Sequence, residues 1–366
     1  MKKSLIALAV MAAAGAASAQ SSVTLFGIVD VNYNYVKGDG NGHVSRLTDS
    51  GYNSSRLGFR GTEDLGGGLS ASFWLEAGLN PDNGTGDTTN TNNQVSGTAL
   101  SGVGGAQGIT FNRRSTVSLS GGWGEVRIGR DYTPTFWNLT VFDPFGTNGS
   151  GTTATLQTGQ GVNTVRASNS IGYFLPANIG GVYGQFQYAE NELPNNQGSN
   201  IDTGRYLGGR VGFASGPVNV AVALGRTDVN DVAGNDNMMS LNVGGSWDFG
   251  FLKLMGQVVA DRNLGGIDTN DGRGFLVGGL VPVGAGEIRL AYSQYRGDIA
   301  VLGGTVNPKL KKLAVGYVHN LSKRTALYTT VAHQKNSGGA SFGLSGAVGA
   351  VNDSQTAVDL GIRHSF

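Results

Sequence analysis

The chain has 366 residues, 62 of them glycine and none cysteine, with 26 basic and 25 acidic side chains. The near-balanced charge excludes a polybasic nucleic-acid or membrane-surface binder, and the lack of cysteine excludes disulfides, thiolate metal sites and cysteine nucleophiles. High glycine without a collagen period, relieved by recurrent aromatics, argues against both collagen and simple disorder.

Lys2 and Lys3, an apolar run from Leu5 to Ala14 and the small residues Ala17-Ser18-Ala19 read as a secretory signal peptide over residues 1–19. Its apolar run is too short to span a bilayer, and no later stretch has eighteen consecutive apolar residues. The two lysines leave with it, so residues 20–366 carry 24 basic and 25 acidic groups. These residues are expected to form one barrel domain, because period-two alternation recurs to the last residue.

The alternating segments run in chain order from Val23–Val36 through Ser54–Gly61, Leu69–Leu79, Ser115–Ser120 and Glu125–Arg130. After a long gap come Ala167–Leu175, Val182–Ala189, Arg205–Phe213, Val218–Arg226, Met238–Trp247 and Phe251–Asp261. Gly274–Val281, Glu287–Arg296, Lys311–His319, Thr325–Lys335 and Thr356–Phe366 complete sixteen. Short connections such as Asp248-Phe249-Gly250 alternate with longer polar ones such as Asn336–Gln355, the rhythm of an outer-membrane barrel. Within strands the faces separate. Ile288, Leu290 and Tyr292 oppose Glu287, Arg289 and Ser293, as a lipid-facing side requires when a charge there costs about 2–4 kcal/mol. Aromatics near segment ends, among them Tyr173, Trp247, Phe249 and Tyr317, are candidates for interfacial girdles.

Between Asp131 and Arg166 the alternation stops. Tyr132, Pro134, Phe136, Trp137, Phe142, Pro144 and Phe145 precede a Gly/Thr/Asn run, and an unpatterned connection of this length is expected to be functional. It is expected to fold inward and set the bore of a channel.

Several stretches resemble one family, the general porins of Gram-negative outer membranes: Val23–Asp30, Ser55–Gly68, Phe111-Asn112-Arg113, Gly124–Arg130 and Gly361–Phe366. The resemblance runs through the whole chain. It implies an all-β, sixteen-stranded antiparallel transmembrane barrel, a homotrimer, a third extracellular loop folded into the lumen, and a terminal Phe366 strand read by the outer-membrane assembly machinery. It further implies a constriction with a basic wall facing an acidic loop.

Arg56 and Arg60 match the family's motif arginines, and parity puts them opposite Leu57 and Phe59, on the lumen side. Arg113 matches the next, whereas counting back from Val117 and Leu119 favours Arg114; a bulge would reconcile the two. Glu76, opposite Leu75 and Ala77, faces the lumen by the same rule. Where the family's loop carries a Pro-Glu-Phe-Gly-Gly-like motif, this chain has Phe142-Asp143-Pro144-Phe145-Gly146, so Asp143 is the nearest substitute for the glutamate and Asp131 a second candidate. Relatives place an arginine where this chain has Gly172; Arg166, of the same parity, either stands in for it or sits on the loop.

Arginines outnumber carboxylates in this set, so weak anion preference is expected in a passive channel for small hydrophilic solutes and ions. A substrate-selective channel is the alternative, distinguished by an aromatic ladder in the lumen. Catalysis has no support. The four histidines lack metal-ligand spacing, there is no Gly-x-Ser-x-Gly elbow, and Gly102–Gly108 does not join a strand to a helix. Neither cofactor nor metal is implied. Lys309, Lys311, Lys312, Lys323 and Arg324 read as rim charges, the first three as candidates for anionic lipopolysaccharide among the outer-membrane lipids.

Overall fold

Alternation becomes antiparallel pairing almost throughout a computed structural model that describes residues 22–40, 42–87, 93, 108–157, 165–177, 179–191, 203–229, 237–268, 270–301 and 304–366. The expected signal peptide over residues 1–19 lies outside these residues, as does most of the Gly102–Gly108 run. The first half contains β1 (Ser22–Gly38), β2 (Gly42–Asp49), β3 (Arg56–Gly66), β4 (Leu69–Asn80), β5 (Thr85–Gly86), β6 (Arg114–Gly121) and β7 (Gly124–Tyr132). Helices α1 (Pro134–Val141) and α2 (Ala154–Gln157) separate these from β8 (Arg166–Phe174), β9 (Val182–Ala189), β10 (Tyr206–Ser215), β11 (Val218–Thr227) and β12 (Met238–Asp248). The chain closes with β13 (Lys253–Arg262), β14 (Asp271–Val283), β15 (Gly286–Val301), β16 (Gly304–Val306), β17 (Lys309–Asn320), β18 (Thr325–Ser337) and β19 (Ser354–Ser365).

These segments make sixteen barrel strands. β5 and β16 only extend hairpins on β4 and β15. β2 and β3 pair with the two halves of β1, so together they are the second strand, interrupted at residues 50–55. The alternation read from the sequence found only the β3 half. β1 also pairs with β19 over Ile28–Gly38, and Phe366 exchanges two backbone hydrogen bonds with Gly27, which closes the barrel. Closure joins the first barrel strand to the last, the condition for a sheet in lipid.

Burial runs opposite to that of a soluble sheet. Val222 and Leu224 on β11, Leu241 and Val243 on β12, and Leu254 and Val258 on β13 are exposed, whereas Asn242 and Gln257 are buried. The outer surface is thus an apolar belt and the inner face is polar, the pattern for lipid outside and water inside. At one rim the connections are tight. The Gly66-Gly67-Gly68 turn has three positive φ angles (81°, 62°, 80°), which side chains with a Cβ rarely adopt. Trp123 stacks on Tyr173 at 6.4 Å, and Trp247, Phe249 and Phe251 form a row at the same rim, so the girdle is present there.

The interruption at 50–55 is held by one buried carboxylate. Asp30 accepts from the backbone N–H of Tyr52 (2.9 Å) and Asn53 (2.6 Å) and from the Tyr328 hydroxyl, while its own N–H donates to Ser55 Oγ (3.0 Å). Asp30→Ala would strand these donors and is expected to lower the unfolding free energy by about 2–4 kcal/mol. The urea midpoint of tryptophan fluorescence in detergent micelles measures it; an unchanged midpoint would mean that the excursion supports itself.

Candidate functional site

Consecutive strands gather arginines on one stretch of the inner face. β3 presents Arg56, β4 Trp74 and Glu76, the entry to β6 Arg113 and Arg114, and β8 Arg166. Register sets this row, because Glu76 lies opposite Arg114 and Tyr132 opposite Arg166. A register shift between Gly129 and Asp131, with Gly129 at φ 126°, realigns the end of β7 so that Tyr132 joins it.

The side chains brace one another. Glu76 Oε1 accepts from Arg113 Nε (2.6 Å) and Arg56 Nη1 (3.4 Å), and Oε2 from Trp74 Nε1 (3.0 Å). The Tyr132 hydroxyl accepts from Arg113 and from Arg166 (3.1 Å), and the Arg166 guanidinium lies 4.6 Å from the Tyr132 ring centroid. Arg114 sits over Trp74 at 4.7 Å, with its Nε donating to Thr116 and lying 3.9 Å from Asp131. Asp131 is held mainly by Arg127 at 2.6 Å. Arg60 covers Trp74 at 5.1 Å nearer the short-turn rim and does not reach the cavity described below. Both Arg113 and Arg114 do reach it. Parity holds for Arg114, which begins β6, whereas Arg113 precedes the strand and hangs from Glu76 O by its backbone N–H (3.0 Å).

Residues 133–157 pack against the opposite side. Thr133 caps α1 by accepting from Phe136 N (3.4 Å), and Pro134 starts the helix, where its missing N–H costs nothing. Asn138 donates to Asn242 Oδ1 (2.7 Å) and accepts from Arg210 Nε (2.8 Å). Phe142, Pro144 and Phe145 press on Gly244, Gly278 and Gly316, where any Cβ would meet those rings. Ser150 N donates to Asp359 (3.1 Å), Ala154 N to Ser293 Oγ (3.0 Å), and Lys312 Nζ to Ser150 O (3.3 Å). Lys312 is therefore not a rim charge: it is 2% exposed, because its position alternates with exposed Lys311 and Leu313. Asp143 accepts from the N–H groups of Phe145 (2.9 Å), Thr147 (3.2 Å) and Thr153 (3.0 Å). Its carboxylate is thus turned into its own loop. Burial holds it above the ordinary carboxylate range, although those amides pull it back.

Between wall and segment lies a cavity of about 650 Å³ lined by Arg56, Arg113, Arg114, Arg166, Lys253 and Arg289, with Glu76 and Asp143 as its carboxylates among the described residues. Lys253 on β13 and Arg289 on β15 belong to strands well around the barrel from the arginine row. Sequence reasoning put Arg289 on the charged face of its strand but brought neither residue to the site. Nothing in a single sequence says which strands face each other across a lumen. A second cavity of about 430 Å³ shares Ser54, Arg113, Thr147 and Asn148 with the first and adds Asp49, Asp87 and Asp359. Burial keeps Asp87 above the usual carboxylate range despite Arg113 and Arg166. Ser54 Oγ donates to Asn148 Oδ1 at 2.7 Å where the cavities meet.

Comparison with known proteins agrees with this architecture. The family model for the Gram-negative porin matches residues 5–339. The chain is 44% identical to outer membrane porin protein 32 of Delftia acidovorans and 30% identical to an outer membrane porin protein of Bordetella pertussis, each match covering all of both chains. The solved structure of an anion-selective porin from Comamonas acidovorans superposes with a TM-score of 0.80 at 38% identity, over 95% of this chain and 100% of that one. Sixteen closed strands, an apolar belt and family matches along nearly the entire sequence lead to one conclusion: this chain is a member of the Gram-negative porin family.

Proposed function

We propose that the chain forms a water-filled outer-membrane channel for passive diffusion of small hydrophilic solutes and ions, narrowed by residues 133–157 within its lumen, with a preference for anions. Contacts of that segment with the inner face of β10–β19 support the inward position. One observation carries the anion preference. Around the larger cavity six cationic side chains meet two carboxylates, and both carboxylates are occupied, Glu76 by Arg56 and Arg113 and Asp143 by backbone amides. The related Comamonas porin is described as anion-selective, which agrees with this reading.

The constriction is assigned to Arg56, Arg113, Arg114 and Arg166, joined by Lys253 and Arg289. Arg60 lies beyond it, and Glu76 acts by holding the arginines in place. Asp143 shapes the loop instead of opposing the wall. A mobile anion meets several weak stations and no deep one, which is what flux requires. The chain is further proposed to be exported with cleavage after Ala19, to assemble as a homotrimer, and to be recognised for insertion through Phe366. The outward-facing Lys309 and Lys311 are proposed contacts for lipopolysaccharide.

Planar-bilayer reversal potentials in a KCl gradient test the selectivity, and cation preference would sink it. Replacing Arg166 and Lys253 together by Gln is expected to reduce the chloride-to-potassium permeability ratio about 2- to 5-fold, since unit charges about 4 Å away act with roughly 1 kcal/mol even in water. Deleting Val141–Gly151 is expected to raise single-channel conductance and blunt selectivity; unchanged conductance would place the constriction elsewhere.

A further inference from the structure

The cavity has an aromatic side as well as a basic one. α1 turns Asn138 and Leu139 into the wall and leaves Phe136, Trp137, Thr140 and Val141 along the cavity. Two large aromatic side chains, each only partly covered, are an unusual lining for a passage meant to carry hydrated ions. They are also fixed. Phe136 lies parallel to Tyr132 at 5.4 Å and 9°, and Trp137 is tilted against the same ring at 5.2 Å. Tyr132 cannot turn, because its hydroxyl is held by Arg113 and Arg166.

Arg166 is a cavity arginine that no carboxylate neutralises. Its Nη2 serves the Tyr132 hydroxyl, and no carboxylate lies within 4 Å of it among the described residues. Tyr132 thus touches a guanidinium without a carboxylate partner and two aromatic rings, all lining one cavity.

We propose that this corner is a subsite for aromatic monoanions, the solute's ring resting on Phe136 and Trp137 and its carboxylate on Arg166. The chemistry is additive: ring faces attract a planar apolar solute, and a guanidinium fork matches a carboxylate. Chloride and acetate use only the charge, and a neutral aromatic uses only the rings. The rings are held before any solute arrives, so little ordering is lost on binding. The proposal rests on the channel reading above and adds a solute class to it.

The experiment is single-channel recording on the intact protein in planar bilayers, titrating benzoate, acetate and benzyl alcohol against a chloride current. Benzoate is expected to reduce the current at a half-effect concentration about 2- to 10-fold below that of acetate, the range an aromatic contact supplies, with no block by benzyl alcohol. In Trp137→Leu and in Phe136→Leu the benzoate-to-acetate ratio is expected to move towards one, and each variant's own acetate response is its internal reference. Equal block by benzoate and acetate in the unaltered protein would overturn the subsite, and so would a ratio that survives in both variants. A wild-type protein with no conductance, or one preferring cations, would instead remove the channel reading on which the subsite depends.

Discussion

The architecture depends on how residues 133–157 are seated on the inner face. A sixteen-stranded barrel has no dry core, so anything crossing its interior must bring its own apolar contacts. Here the wall supplies recesses by omission. Gly244, Gly278 and Gly316 leave space that Phe142, Pro144 and Phe145 fill, and Phe142 becomes fully buried. Burying one such ring is worth about 1.5–3 kcal/mol, and close packing makes that gain depend on the missing Cβ atoms. The polar latches from Asn138, Ser150 and Ala154 then set the register of the segment along the wall. Glycine in a strand interior ordinarily weakens a sheet; at these three positions it makes a second element fit.

Seating the segment this way decides its electrostatics. Asp143 lies between Phe142 and Pro144, so anchoring both neighbours turns its carboxylate inward, where three backbone amides satisfy it. The segment therefore presents little negative charge to the arginine row. The row in turn needs internal compensation, because four guanidinium groups at close quarters repel. Glu76 joins Arg56 to Arg113, and Asp131 takes Arg127 with Arg114 nearby. Trp74 and Tyr132 offer π faces to the others. Aromatic faces attract cations without cancelling their charge, so Arg114 and Arg166 keep theirs.

Strand order and facing were legible in the sequence because closure in lipid enforces strict alternation, as along Ile288–Ser293 or Val358–Ile362. Gly42–Asp49 escaped notice because Leu47 is its one large exposed apolar residue, and Val44, Arg46 and Thr48 share the opposite face. The charged wall was legible from parity and from the motif arginines. Arg113 and Arg114 appeared to compete because parity assumes an uninterrupted strand, and the strand starts between them. What lay beyond the sequence was everything that depends on contact across the interior: the partners of Asp143, the inward burial of Lys312, and the approach of Lys253 and Arg289. These follow from loop seating, which is encoded in the coincidence of distant glycines and aromatics and in no local pattern.

The break in the second strand brings a second element into contact with residues 133–157. Once Asp30 captures the amides of Tyr52 and Asn53, residues 50–55 leave the sheet and Tyr52 enters the interior between Arg289 at 4.3 Å and Arg363 at 5.1 Å. The same excursion meets the tip of the opposite segment. Ser54 bonds to Asn148, and Gly149, at φ 60°, sits so close to the Gly51 carbonyl that no side chain fits. The two cavities touch at this contact and share its residues. An unbroken second strand would carry residues 51–54 along the wall, away from the tip, and the segment would have nothing to close against. Under the proposed channel reading, the bore is therefore set jointly by a loop that packs onto one wall and by a strand that breaks from the other. The buried carboxylate of Asp30 fixes the second of these.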